Sequence, residues 1–328
     1  MSHTDYRLPA EWERQSATLL AWPAAHSDWH DQLDAIRDEY HQLIDAILAF
    51  QPVVLLVPED EAPPTQWPER EDLNRVPMRY NDTWCRDYGP VTLVFSGYRL
   101  ALDFHFDGWG GKHPAALDNR VNTRLARLDL FENLEFRQHL LTLEGGAIDS
   151  DGRGRLLVNW HCLRARHPQL SARELDFELH QLLNVDKVLG IDFEPMPGDD
   201  TDGHIDTLAR FVDHDTIVFQ TQASDAATRQ LRQQLERLRT REEQPYRLIA
   251  LPRPDDLAGE HPRSYANFLF VNGGCLVPAF GSRHDDRARS ILTRLLPERQ
   301  VVSVPVAAMI TQAGGPHCAG MQIPATLG

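Results

Sequence analysis

Residues 267–280 read NFLFVNGGCLVPAF, two apolar runs hinged on Asn272-Gly273-Gly274. Runs of this length, rich in Phe, Leu and Val and parted by a glycine pair, predict a β-hairpin. The same punctuation recurs after apolar stretches: GWGG at 108–111, LEGGAI at 143–148 and QAGGPH at 312–317. Glycine reaches positive φ at little cost, so each pair is expected to turn the chain at a strand end. A recurring unit of this kind points to repeated modules around a common centre. A doubly wound dinucleotide fold is disfavoured, because no GxGxxG follows a strand-like run.

Outward from the hairpin, periodicity supplies the remaining elements. Leu33, Ile36, Tyr40, Leu43, Ile44 and Ile47 fall at helical spacing and predict a helix over 27–50, with Ser27 as its cap and Pro52 beyond its end. PVVLLVP (52–58) reads as a buried strand and 59–72 as a Pro- and acid-rich loop. Further strands are expected at 91–95, 99–106, 155–160, 215–221, 246–252 and 299–306. Helices are expected at 171–184, opened by a Ser171/Glu174 capping box, at 225–244 and at 285–296. No linker-like stretch divides the chain, so a single domain over 1–328 is expected.

A formal charge of −15 argues against nucleic acid, which needs clustered Lys and Arg. The acidity suits a cationic substrate, although surplus acid also serves solubility alone. The N-terminal stretch lacks a basic segment followed by an apolar run, and no run of about 18 apolar residues occurs, so neither a secretory signal nor a membrane span is expected. The four cysteines, Cys85, Cys162, Cys275 and Cys318, form no CxxC pair. Reduced thiols in the cytoplasm are the expectation.

Four polar clusters sit at strand edges or turns, where catalytic groups are usually displayed: NDTWCRDYGP (81–90), LEGGAID (143–149), GDDTDGHID (198–206) and GGPHC (314–318). Each admits a bland reading. Asp87 could cap a turn, Glu144 could be solvated, and Cys318 could be a small buried apolar residue. A calcium loop at 198–209 fails, with Gly198 and Ala209 at its first and last positions. His204 and Asp206 lack the second histidine motif a metal pair would want. Cys85, Cys162 and Cys275 read as structural, and so does Arg86.

Taken together the clusters suit one chemistry. A thiol nucleophile needs a partner that protonates its leaving group, which His204 can supply, and an acid to orient that histidine. Two further buried carboxylates would be costly without a cation between them. A guanidinium, flat and permanently charged with forked donors, fits that role better than an ammonium.

NDTWCRDYGP, FDGWGGK, LEGG, DDTDGHID, SYANFLFVNGG and GGPHC resemble, in that order, the motifs of agmatine deiminases. These belong to the bacterial-type peptidyl-arginine deiminase family of the guanidine-modifying superfamily. The resemblance covers nearly the whole chain. It implies a five-bladed α/β propeller (pentein) of pseudo-fivefold ββαβ modules, no cofactor and no metal, a small cationic guanidinium substrate, and a homodimer. It implies Cys318 as nucleophile, His204 as general acid and base, Asp87 and Asp206 as the carboxylates that grip the guanidinium, and Glu144 as the acid beside the histidine. Trp84, Asp200 and Trp109 fall at substrate-side positions, with Lys112 in the same WGGK segment. Two positions depart from the pattern: Gly315 and Pro316 stand where the family usually has Asn and an apolar residue. That departure touches substrate-side contacts more than the nucleophile turn.

With agmatine the implied reaction yields N-carbamoylputrescine and ammonia, a step toward putrescine. A peptidyl-arginine or free-arginine deiminase is the alternative. Free arginine would call for a basic partner, yet no Arg or Lys cluster accompanies the motifs apart from Arg86. Two other classes are a guanidinium-binding propeller without activity and a metal hydrolase built on Asp199, Asp200, Asp202, His204 and Asp206.

Overall fold

The computed structural model describes residues 5–67, 69–128 and 130–326. Its strands form five small sheets, four of three strands and one of four. In the first, Val91–Phe95 pairs antiparallel with Tyr98–His105, which pairs parallel with Leu134–Thr142. The pattern repeats at Ile148–Ser150, Arg155–Asn159 and Lys187–Ile191, then at Ala209–Phe211, Thr216–Gln220 and Arg247–Leu251. It repeats again at Leu269–Val271, Gly274–Ala279 and Gln300–Pro305. A hairpin followed by a parallel third strand needs a crossover, and helices such as Ala172–Leu183, Asp225–Leu235 and Asp285–Leu295 supply it.

The fifth sheet joins the two ends of the chain. Met321–Pro324 pairs antiparallel with Gln15–Ala21, and Val53–Pro58 and Leu73–Met78 continue in parallel. These are the five ββαβ modules of the expected α/β propeller. No helix among the described residues is long and apolar enough to cross a membrane.

Several local expectations shift. The first α-helix spans Leu33–Leu48, after a 3-10 turn at His30–Gln32, and Ser27 does not cap it. The Ser27 hydroxyl instead donates to Ala24 O at 2.7 Å. The helix still buries Ile36, Tyr40, Leu43, Ile44 and Ile47 as the spacing requires. The helix expected over 225–244 ends at Leu235, because Arg239 bridges to Pro245 and turns the chain. Leu73–Met78, with an internal proline, is a strand at the edge of its sheet, where a missing N–H breaks no ladder bond. The capping box of Ser171 and Glu174 is present.

The glycine pairs do not all turn hairpins. Gly273, at φ +71°, does turn the Leu269–Ala279 hairpin. The pairs at 145–146 and 314–315 lack positive φ and serve close approach instead. A Cβ on Gly314 would lie 2.3 Å from the Trp84 ring.

Candidate active site

The turn or short helix just before the first strand of each module faces the same place. Cys85–Tyr88 presents Asp87, Gly145–Ala147 follows Glu144, and Ile205–Leu208 presents Asp206 with His204 as its cap. Asn267 precedes Leu269, and Pro316–Ala319 presents Cys318. Pseudo-fivefold repetition therefore gathers side chains that the sequence keeps far apart.

Asp87 is held on both oxygens. Its Oδ1 accepts from Gly146 N at 2.9 Å, and its Oδ2 accepts from Trp109 Nε1 at 3.0 Å. Trp109 reaches it from a left-handed conformation, φ +56° and ψ +49°, unusual for a bulky residue and costing on the order of 1 kcal/mol. His204 sits between two acids, with Nδ1 3.6 Å from Asp87 Oδ1 and Nε2 3.6 Å from Glu144 Oε2. Asp206 Oδ2 lies 3.8 Å from the Cys318 sulfur, while Asn267 Nδ2 donates to that sulfur at 3.1 Å. A Cβ on Gly146 would meet His204 Nδ1 at 2.5 Å, Asp87 Oδ1 at 2.9 Å and Asp206 Oδ2 at 3.0 Å. Only a glycine lets these three side chains converge.

The loop before His204 is folded by its own acid. Asp199 accepts from Thr201 N at 2.8 Å and Gly203 N at 3.0 Å, so it spends its oxygens locally. Asp202 Oδ2 takes Lys112 Nζ at 2.7 Å and Arg166 Nη1 at 2.5 Å. Asp200 Oδ2 faces His113 Nε2 at 3.1 Å. These carboxylates are engaged separately, and the metal-hydrolase set does not converge. Glu144, Cys162 and His204 do bring donor atoms within 4.8 Å of one another. The Arg166 guanidinium, donating to Glu144 Oε1 at 2.5 Å, already supplies the countercharge there.

A cavity of about 260 Å³ opens onto Cys318. Trp84, Asp87, Trp109 and Asp200 line it, together with Asp28, Asp82 and His113. Lys112 is held outside the wall by Asp202 and by Asp200 O. Among the described residues no Arg or Lys lines the cavity.

Burial pushes the Cys318 thiol well above its usual range, and the Asp206 and Asp87 anions push the same way. Burial alone would lower His204, but Asp87, Cys162 and Glu144 outweigh it and hold the imidazole cationic well above its usual value. Burial would raise Glu144 and Asp206. His204 and Arg166 bring the first below its usual value, and His317 and His204 the second. Asp87 moves up, through burial and despite the His204 cation, with Asp206 and Glu144 adding to the rise. The free site thus pairs a neutral thiol with a cationic imidazole inside a set of carboxylates.

Sequence reasoning misses five contributors: Glu11, Arg166, Arg210, Asn267 and His317. The expectation that no Arg beyond Arg86 accompanies the motifs is corrected, since Arg166 and Arg210 are both buried against acids. Cys162, expected as structural, lies against His204. Asn267 stands in one of the matching motifs, SYANFLF, at the start of its module. That repeat position is the available signal.

Comparison with known proteins gives the class: a guanidino-group deiminase. The chain belongs to the Porphyromonas-type peptidyl-arginine deiminase family, whose model matches residues 7–324. A protein provisionally named agmatine deiminase in Latilactobacillus sakei is 29% identical, over 98% of this chain and 96% of its own. The solved structure of a cysteine-to-serine variant of C. jejuni agmatine deiminase with substrate bound is 29% identical, with TM-score 0.89 over 98% and 97% of the two chains. A Porphyromonas gingivalis protein provisionally named arginine deiminase is 38% identical, with TM-score 0.88 over 97% and 98%.

Proposed function

We propose that this protein hydrolyses agmatine to N-carbamoylputrescine and ammonia through a covalent intermediate on Cys318. The observation that carries the substrate choice is the cavity wall, which holds Asp28, Asp82, Asp87 and Asp200 but no Arg or Lys among the described residues. Such a wall favours a substrate cationic at both ends and offers no partner to the carboxylate of free arginine. An arginine substrate is the second reading, favoured by the name of the P. gingivalis relative.

In the proposed cycle Asp87 and Asp206 grip the guanidinium and set its central carbon about 3–3.5 Å from the sulfur. The arriving cation offsets the anions that keep the thiol protonated, so substrate binding favours the thiolate, and the thiol proton passes to solvent because His204 already carries its own. Sulfur attacks carbon to give a tetrahedral adduct. The C–N bond to an unsubstituted nitrogen breaks, the His204 proton leaves with that nitrogen as ammonia, and an S-alkylthiouronium remains. His204, now neutral, takes a proton from water. The oxygen adds to the same carbon, the C–S bond breaks, and the ureido product departs with the thiol restored. Side chains and water suffice for every step.

Parallel assays with agmatine, free arginine and an arginine-containing peptide, reading ureido product by colour, test the reading. The expected result is a kcat/KM for agmatine at least about 100-fold above the others, the scale of a buried charge left unpaired. Equal or faster turnover of arginine would overturn the substrate choice and leave the deiminase class intact.

A further inference from the structure

Glu11 lies in an N-terminal stretch without a chemical motif, yet one imidazole links it to the reaction centre. Its Oε2 accepts from Arg210 Nη2 at 2.6 Å and faces His317 Nε2 at 2.8 Å, while Oε1 accepts from Phe270 N at 2.7 Å. On the other side of the ring, His317 Nδ1 lies 2.7 Å from Asp206 Oδ2. Glu11, His317 and Asp206 are 5%, 2% and 0% exposed, so no solvent competes for these contacts.

We infer that Glu11 and His317 are positioning residues, a clamp that fixes the Asp206 carboxylate with its Oδ2 facing the Cys318 sulfur, where the substrate guanidinium is to be gripped. The inference rests on the deiminase reading above. Ionised carboxylates only accept, so a ring between two of them satisfies both only when each nitrogen carries a proton. Asp206 Oδ1 supplies an independent observation: it is fully buried and has no hydrogen-bond partner among the described residues. A buried acceptor without a partner is costly to leave unpaired, and a cation bound beside the same carboxylate would offset that cost.

The charges around the ring come from every element packed on it. Glu11 faces it from the N-terminal segment and Asp206 from Ile205–Leu208. Arg86 Nε donates to His317 O at 3.0 Å from Cys85–Tyr88. Asp149 and Arg210 stand behind, paired at 3.1 Å. Asp206 in turn shares the space beside Gly146 with His204 and Asp87, and faces the Cys318 sulfur. Burial would raise Glu11, but Arg210, His317 and Arg86 bring it well below its ordinary value. That direction fits the donors counted on its two oxygens and keeps the carboxylate ionised throughout the working range.

The test uses the full chain, with Glu11→Gln and His317→Gln variants assayed against agmatine across pH. The expected result is a kcat/KM lower by about 100-fold, carried more by KM than by kcat, because the guanidinium grip is misplaced. The acidic limb of the profile should also move to higher pH, since Asp206 without its firmly held hydrogen-bond partner protonates more readily. An unmoved limb in folded variants would overturn the inference. Nitrogen-15 NMR of histidine-labelled wild-type protein decides the point even if neither variant folds: both His317 nitrogens are expected in hydrogen bonds, and one nitrogen without a hydrogen-bond partner would overturn it. Failure of the wild-type protein to deiminate any guanidino compound would defeat the functional reading instead, and the NMR result would still report on the clamp.

Discussion

Asn267 braces the Cys318 turn from two directions, donating from Nδ2 to the sulfur at 3.1 Å while its Oδ1 accepts from the amides of His317 at 3.2 Å and Cys318 at 3.4 Å. A Cβ on Gly315 would lie 2.7 Å from that same Oδ1, so the amide of Asn267 occupies the space a side chain at 315 would need. The departure at Gly315 is thus accommodated by a residue from another module.

Replacing Asn267 by Asp would set a third anion against a thiol that burial, Asp206 and Asp87 already keep protonated. The expected loss in kcat/KM is about 100-fold or more for Asp, and about 10-fold for Ala, which removes one donor without adding charge. Steady-state kinetics at fixed pH will read the order. An Asp variant more active than Ala would contradict the electrostatic account.

Gly146→Ala tests the crowding directly. The glycine has no positive φ, so the backbone tolerates alanine, and the collision is with His204, Asp87 and Asp206. Activity should fall by about 100-fold, as a displacement near 1 Å can cost that much. A variant with wild-type kcat/KM would mean that these three side chains need not converge.

Arg166 is buried, with its guanidinium on Glu144, Asp202 and Thr201 O. Arg166→Met would leave Glu144 buried with only the more distant His204 as countercharge, and unfolding in urea should show a loss of about 3 kcal/mol. Arg166→Lys keeps the charge but lacks the fork that serves three acceptors, so an intermediate loss is expected. Equal stability of the wild type and the Met variant would contradict the role assigned to the pair.

Asp118 offers a prediction in pH. Its Oδ1 accepts from Asn81 N at 2.6 Å and Asp82 N at 3.2 Å, while Oδ2 has no hydrogen-bond partner among the described residues. Burial is the main cause that pushes its carboxyl up to about 8. The folded state therefore holds a proton that the unfolded chain has lost above about pH 4, and this group makes stability fall as pH rises from about 4 to 8. Asp118→Asn keeps an acceptor for both amides and removes the titration. Thermal unfolding at pH 5 to 8 should show a flatter slope and a gain of several kcal/mol at pH 8, on the order of 1 kcal/mol for each pH unit above about 4. An unchanged slope would count against the assignment.

What could be read from the sequence was local. Asp87, Glu144, His204, Asp206 and Cys318 each stand beside or near a glycine or proline that punctuates a turn, and the repeated turns pointed to repeated modules. Glu11 and Asn267 carry no such mark. Their partners lie 306 and 51 residues away, and nothing short-range distinguishes a buried clamp from a surface acid or a loop amide. Leu73–Met78 does not read as a strand in the sequence because its proline is tolerated only at a sheet edge, a fact of tertiary position. The first helix starts later than its sequence suggests for a related reason: Ser27 has the chemistry of a cap, but its hydroxyl is taken by Ala24 O.

The central claim is that the Cys318 sulfur forms the bond to the guanidinium carbon. The most direct measurement is ammonia release from agmatine by the Cys318→Ser variant, alongside calorimetric binding of agmatine to the same protein. The account predicts no release above the blank with binding retained, since the carboxylates that hold the cation are untouched. Release within a few-fold of the wild-type rate would place the nucleophile elsewhere and contradict the account.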